Sequence, residues 1–438
     1  MFRYNNEFKD SKVEYIGKIP KSWKIIRNKH IFNKTKVIAG PKWDKYNVLS
    51  LTKNGVIIKD IERNEGKMPS DFSIYQIVNP GNLLMCLFDI DVTPRCVGYI
   101  ENNGIVSAAY TELSPIADIN MKYYYWWYLM LDIDKQLLHL SKNLRNSLST
   151  EDFMALSVVK PPLDEQIQIA NYLDKKTAKI DETIAKNKEL IELLEEKRIT
   201  LINQVVTKGL NPNVSMKDSG IKWIGEIPKH WDVEKIKNIS QVRPSNVDKK
   251  TKANEPQILL CNYTDVYNNE FITMDLDFMK ATATHDQIRK LSLDVGDVII
   301  TKDSESADDI AVPAIVTEKL ENVVCGYHLA VIRPNSTIIN PKFLFRSFES
   351  DRINKQFELG SNGVTRFGLG SYPINNAYIC KPPLNEQAEI VQYLDIETSR
   401  IAKATDKILK HTELLEEYKT SLIHHVVTGK IDVREEVI

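Results

Sequence analysis

The sequence predicts an α+β chain with an internal two-fold repeat: two mixed strand-and-helix domains, each followed by one long helix, with the helices pairing as a coiled coil. Three observations carry this. Pro161-Pro162-Leu163-Asp164-Glu165-Gln166 returns as Pro382-Pro383-Leu384-Asn385-Glu386-Gln387. Ile16-Gly17-Lys18-Ile19-Pro20-Lys21-Ser22-Trp23 returns as Ile224-Gly225-Glu226-Ile227-Pro228-Lys229-His230-Trp231. Finally, neither Gly nor Pro interrupts Asp164 to Lys208 or Asn385 to Thr428, which permits about 43 helical residues, roughly 64 Å at 1.5 Å each.

Each long helix is expected to start at Asp164 or Asn385, since both are strong N-caps and an acid follows at the positive helix end. Leu173, Ile180, Leu194 and Leu201 recur at multiples of seven, as do Leu394, Ile401, Ile408, Leu415 and Leu422, which is the period of a coiled-coil seam. Ile184, Ile191, Leu193 and Val205, with Leu414, Ile423 and Val426 on the other copy, are expected to widen the buried stripe. Asn187 takes the seam position that Ile408 fills in the second helix; it either fixes register from a buried site or is solvated. A helical hairpin within a larger bundle is the competing arrangement.

Between Trp23 and Pro161 short β-branched and aromatic runs alternate with turns: Tyr46 to Leu51, Asn54-Gly55, Val56 to Ile58, Leu83 to Phe88 and Cys96 to Ile100. Asn102-Asn103-Gly104 reads as a hairpin turn. Lys122 to Leu140 reads as helix, and its aromatics (Tyr123, Trp126, Trp127) suit either base stacking or a core. From Ile221 to Lys381 the order repeats with different residues. Gly81-Asn82-Leu83-Leu84 is echoed by Gly296-Asp297-Val298-Ile299, Tyr110 by Tyr327, and Arg145 by Arg366. Shared scaffold positions with divergent loops suit two domains that face different targets. Thr207 to Gly220 is the linker that closes the first helix.

The 438 residues carry a net charge of −1 with 42% hydrophobic and 27% charged residues, ordinary values for a soluble globular chain of two or three domains. No apolar run is long enough to span a bilayer and no signal segment opens the chain, so a cytoplasmic protein is expected. The five cysteines, Cys86, Cys96, Cys261, Cys325 and Cys380, are scattered and read as reduced, semi-buried thiols. Neutral overall charge argues against coating nucleic acid by bulk charge. Lysines and arginines nevertheless cluster after Trp23 and after Trp231, as on a DNA reader that depends on partners for part of its affinity; a solvated charged surface is the plainer reading.

Catalytic signatures are missing. No G-x-x-x-x-G-K-[ST] phosphate loop, G-x-G-x-x-G nucleotide turn, H-E-x-x-H helix or Cys/His metal cluster occurs, and both Pro-Pro pairs follow Lys and precede Leu, unlike the amino-methyltransferase pattern. Glu195-Glu196-Lys197 and Glu417-Tyr418-Lys419 lie mid-helix, where a solvated face accounts for them. His424-His425 are adjacent on a helix and point apart.

With the I-G-x-I-P-x-x-W entry, the PPLxEQ helix start and the repeat of domain followed by long helix, the chain resembles, over essentially its whole length, the DNA sequence-specificity subunit of type I restriction-modification systems. The resemblance implies a non-catalytic subunit that reads a split DNA sequence, one half with each target-recognition domain. It implies that the two long helices pair antiparallel, act as a spacer and dock two methyltransferase subunits, which use S-adenosylmethionine; restriction subunits that use ATP and Mg join the same complex. No cofactor or metal is expected on this chain. On this reading 1–160 is the first recognition domain, 161–210 the central helix, 211–381 the linker and second recognition domain, and 382–438 the C-terminal helix and tail.

The resemblance does not carry base-reading residues, because recognition domains are where such subunits differ. The candidates are the polar loops before each long helix, Lys142, Asn143, Arg145 and Asn146 in the first and Ser361, Asn362, Thr365 and Arg366 in the second, because Arg can fork onto guanine and Asn onto adenine. Arg145 and Arg366 would equally suit contact with phosphate or capping of local structure. Lys24, Arg27, Lys34 and Lys36, with Lys237, Arg243, Lys249 and Lys250, are expected to contact phosphate. A coiled-coil scaffold without DNA reading, and a methyltransferase or nuclease that reads its own site, are the rival functions; the second would need the missing catalytic motifs.

Overall fold

Trp23 and Trp231, which close the duplicated entry stretch, are fully buried, and each donates its indole N–H to the glutamate of the nearby PPLxEQ stretch: Trp23 Nε1 to Glu165 Oε2 at 2.9 Å, Trp231 Nε1 to Glu386 Oε2 at 2.8 Å. The computed structural model describes residues 7–60, 71–141 and 146–434. Its contacts divide the chain into two compact units, Met1–Asn187 with Leu409–Ile438, and Lys188–Ile408. Corresponding residues make the same bonds in both. In the first unit Phe8–Asp10 pairs antiparallel with Lys18–Pro20, and in the second Met216–Asp218 pairs with Glu226–Pro228. Gly17 and Gly225 sit at φ +69° and +73° just before those strands, a conformation that favours glycine. Lys24–Arg27 pairs with Ser157–Lys160, and Asp232–Lys235 with Tyr378–Lys381, which brings each PPLxEQ stretch beside its tryptophan.

The glutamines have an equally defined task. Gln166 and Gln387 are wholly buried. Gln166 accepts from the Asn120 amide at 2.9 Å and donates to Pro161 O at 2.8 Å; Gln387 accepts from the Asn340 amide at 2.6 Å and donates to Pro382 O at 2.8 Å. Asn120 and Asn340 cap the helices Met121–Ile133 and Pro341–Phe348, so one side chain fixes the long helix to the start of its neighbour.

In the first unit an antiparallel four-stranded sheet runs in the order Val97–Tyr99, Leu83–Met85, Thr111–Pro115, Phe32–Thr35. A three-stranded sheet joins Gly104–Val106, Gln76–Val78 and Val37–Ile38. The expected hairpin at Asn102-Asn103-Gly104 is not formed, because its flanking strands enter these two different sheets. Gly104 is there for close approach: a Cβ would lie 2.5 Å from Asn47 O, whose residue accepts the Ile105 amide at 2.8 Å. The hairpin through Asn54-Gly55 does form, Leu49–Thr52 against Gly55–Ile58. The aromatic helix Met121–Ile133 is mainly core, with Tyr123, Tyr124, Trp126, Trp127 and Tyr128 buried and Tyr125 partly so. It ends at Ile133, before the expected Leu140, and Lys135, at φ +53°, separates it from a short helix, Gln136–His139.

In the second unit a five-stranded sheet runs Ser240–Pro244, Leu329–Pro334, Val298–Thr301, Pro313–Val316, Phe271–Ile272, flanked by a sheet of Met279–Thr282, Gln257–Cys261 and Val323–Cys325. Arg346, 2% exposed, forms a buried ionic knot with Glu270, Glu349 at 2.7 Å and Asp395 at 3.1 Å, and Arg198 also binds Glu349.

The long helices are Leu163–Lys208 and Leu384–Val427, 46 and 44 residues. Each begins one residue before the expected cap: Gln166 and Gln387 already donate their amides to Pro162 O and Pro383 O, so Asp164 and Asn385 lie inside the first turn. Gly209, at φ +74°, ends the first helix by donating to Val205 O at 3.0 Å. Within the first unit the two helices run antiparallel: Lys419 reaches Asp181 at 2.6 Å, while Asn187 Nδ2 lies 3.0 Å from Thr412 Oγ1 and 3.2 Å from His411 Nδ1. Asn187 is therefore half-buried and bonded across the seam. Leu173, Ile180 and Ile184 share a core with Leu422, Ile423 and Val426. Leu193 and Leu414, expected to widen the stripe, are 52% and 62% exposed instead.

Candidate nucleic-acid interface

The loop predicted at 361–366 is a tight turn between the helix Asp351–Gly360 and the short strand Phe367–Gly368. Asn362 and Gly368 exchange both backbone bonds, at 3.0 and 2.9 Å, and close its base. Gly363 has φ +152°, and a Cβ there would stand 1.9 Å from Arg366 O, so the turn tolerates only glycine. The tip, Val364, Thr365 and Arg366, is exposed, Val364 to 92%. Ser361 is occupied with structure, its hydroxyl donating to Glu358 O at 2.8 Å at the helix end.

Thr365 and Arg366 line a cleft of about 440 Å³ with Tyr263, Tyr267, Asp303 and Asp309. The two tyrosines, one helical turn apart, stack at 5.4 Å, and Tyr267 donates to Asp309 Oδ2 at 2.9 Å, which together with the charge of that carboxylate raises the Tyr267 pKa. Asp303–Ser304 pairs with Phe367–Gly368, so the floor of the cleft is bonded to the stem of the turn. His328 Nδ1 lies 2.7 Å from Asp303 Oδ2 and 3.4 Å from Arg366 Nη2. Beside it Lys302 sits 5.2 Å over the ring of Tyr327, which is 52% exposed, and donates to Ser245 O at 3.3 Å.

Thr365 and Arg366 are candidates named from the sequence; Tyr263, Tyr267, Lys302 and His328, which surround them, are not. One signal was available for the tyrosines: Asn262 and Asp265 form a capping box that opens the helix Tyr263–Tyr267 and places both rings on one face. Of the basic candidates, exposed Lys249 is near enough to Asp265 to oppose the rise that burial imposes on that carboxyl. Lys250 is exposed. Lys237 and Arg243 do not line the cleft; Lys237 donates to Asn376 Oδ1 at 3.1 Å, and Arg243 to Lys290 O at 3.1 Å and Gln241 Oε1 at 2.5 Å.

In the first unit Lys142, Asn143 and Arg145 lie outside the described residues. Asn146, at φ +48°, accepts the Ile90 amide at 3.1 Å, and Leu148 donates to Leu87 O at 2.8 Å. The chain after this loop is thus fastened to 87–90, where Phe88 stacks on Tyr110 at 5.9 Å. Lys24 and Arg27 are exposed on their strand; Lys34 reaches Thr150 Oγ1 at 3.4 Å and Lys36 reaches Ala108 O at 3.1 Å, two residues from Tyr110. Among the described residues no group of three or more His, Cys, Asp or Glu side chains could hold a metal ion, and no helix is long and apolar enough to cross a membrane.

Residues 228–411, which include this cleft, match the family model of the type I restriction modification DNA specificity domain. Two specificity subunits of Methanocaldococcus jannaschii extend the match along the chain. The type I restriction enzyme MjaVIII specificity subunit is 23% identical over 352 residues, covering 77% of this chain and 76% of the relative. The putative MjaX specificity subunit is 25% identical over 327 residues, covering 71% and 68%. Residues 228–411 thus carry the type I restriction modification DNA specificity domain, and the chain as a whole is similar to specificity subunits. The fold agrees over nearly the whole length. A chain from a structure describing complex assembly and conformational transition of the type I restriction-modification system superposes with a TM-score of 0.70 at 12% identity, covering 94% of this chain and 99% of that one. The HsdS subunit from Thermoanaerobacter tengcongensis gives 0.55 at 13% identity, covering 94% and 98%.

Proposed function

We propose that this chain is a non-catalytic specificity subunit that reads a bipartite DNA sequence, one half-site with each recognition domain (1–160 and 211–381), and directs adenine methylation and restriction by partner subunits. The observation that carries the reading is the exposed Val364–Arg366 turn, held on a bonded stem beside stacked tyrosines and a lysine. A small domain reads only a few base pairs before the major groove turns away, so two readers extend the site without touching its middle. The matching Trp–Glu and Gln–backbone bonds support an internal two-fold repeat, which suits two half-sites. The long helices are the spacer and the docking surface for two methyltransferase subunits; S-adenosylmethionine, ATP and Mg belong to the methyltransferase and restriction partners. Sequencing methylated adenines in cells with and without this chain tests the proposal. A split motif that disappears with the chain is expected. Methyl transfer by the isolated chain, or a methylation pattern indifferent to its loss, would overturn it.

A further inference from the structure

We propose that Arg366 reads a guanine in the half-site of the second unit, and that His328, held by Asp303, is the positioning residue that keeps the guanidinium free to do so. The inference rests on the DNA-reading role above and names the base.

A carboxylate only accepts, so the 2.7 Å contact requires His328 Nδ1 to carry its hydrogen and donate it to Asp303 Oδ2. That nitrogen then has no lone pair for Arg366 Nη2, and the 3.4 Å approach is a contact without a hydrogen bond. Arg366 is thus steered by a ring that does not hold it. The parts are fixed to one another by backbone: Lys302 N donates to His328 O at 2.8 Å, Leu369 N to Lys302 O at 2.7 Å, and Asp303 pairs with Gly368.

The charge around Arg366 favours a base edge over a phosphate. Asp303, Glu305 and Asp309 line the same cleft as Arg366. A phosphate drawn to the guanidinium would meet three carboxylates, whereas a base edge carries no net charge. Among base edges, guanine offers two acceptors, N7 and O6, side by side to a donor-only fork, while adenine sets a donor beside its acceptor.

The full chain, reconstituted with its methyltransferase subunit and S-adenosylmethionine, is assayed on duplexes carrying the site found by methylated-adenine sequencing. Each guanine of the second half-site is replaced in turn by 7-deazaguanine, which lacks N7. Wild type should lose roughly 5- to 150-fold in binding at one guanine. Arg366→Ala should lose a comparable factor on natural DNA and be indifferent to 7-deazaguanine at that position. His328→Ala exposes the Asp303 carboxylate to the guanidinium, so discrimination at the same guanine should relax, and adding Asp303→Asn should restore it. A second half-site in which no guanine N7 matters overturns the inference and leaves DNA reading standing. So does an Arg366→Ala chain that weakens every sequence equally with a shallower salt dependence. Unchanged guanine discrimination in His328→Ala overturns the positioning role. Absence of any chain-dependent motif would remove the DNA-reading role itself.

Discussion

From a fully buried position Gln387 makes two short bonds to backbone, accepting from Asn340 and donating to Pro382, and a longer one of 3.4 Å to Ile338 O. Truncation strands these groups, and an unsatisfied buried group costs about 1 to 3 kcal/mol. Gln387→Ala should therefore lose at least that much in a denaturant melt, while Gln392→Ala, elsewhere on the same helix, should stay within about 0.5 kcal/mol. Arg346 poses a sharper case. Burial raises the Glu349 carboxyl above its ordinary range, against the pull of Arg346 and Arg198. A carboxyl whose folded pKa is raised stabilises fully below its unfolded value of about 4.3 and loses that contribution as pH rises through the folded value. Arg346→Ala removes a lowering charge and widens that window. The variant should lose about 3 to 5 kcal/mol near neutral pH and a smaller amount at pH 5, measured by melts at the two pH values. At this scale the sequence was half legible. The duplicated Trp, Glu and Gln announced shared structure, but their partners lie more than a hundred residues away for Trp23 and Trp231, and spacing does not reveal such pairs. All five cysteines are buried rather than half-buried, and burial pushes the Cys380 thiol up to about 12.

The long helices were legible because a missing Gly or Pro and a seven-residue period are local properties, although their starts shifted by one residue once Pro162 and Pro383 were seen to accept the first helical bonds. The period names the seam but not its width. Leu173 is fully buried and Leu414 is 62% exposed, although each is one Leu among many in the pattern. Leu173→Ala should cost about 2.7 to 5 kcal/mol through the cavity it leaves, and Leu414→Ala should stay within about 0.5 kcal/mol; equal effects in paired denaturant melts would contradict the placement. The strands were harder. A glycine after two asparagines reads as a turn, yet Gly104 makes room for the carbonyl of Asn47, a contact that only the tertiary fold supplies. The Ser361–Arg366 turn was found from composition alone, whereas the residues facing it come from 263–267, 302–309 and 328, which no local pattern groups together.

At the scale of the molecule, both long helices cross the division between the two units without interruption, since Asn187 and Ile408 fall inside them. Under the proposed function this continuity gives the chain a ruler for the distance between half-sites. Deleting seven residues from each helix, in the phase of the heptad, preserves the seam and removes about 10.5 Å of helix. That is roughly three base pairs at 3.4 Å each, and it turns one half-site by about 100° around a duplex of 10 to 10.5 pairs per turn. Two results are compatible with the ruler: a motif whose unread spacer shrinks by about three pairs, or loss of binding because the second half-site now faces away. Methylated-adenine sequencing over a library of spacer lengths separates them, and circular dichroism checks that the shortened chain is folded. A folded double deletion that still methylates the original site at the original spacing with full efficiency would show that some element other than the helices sets the distance.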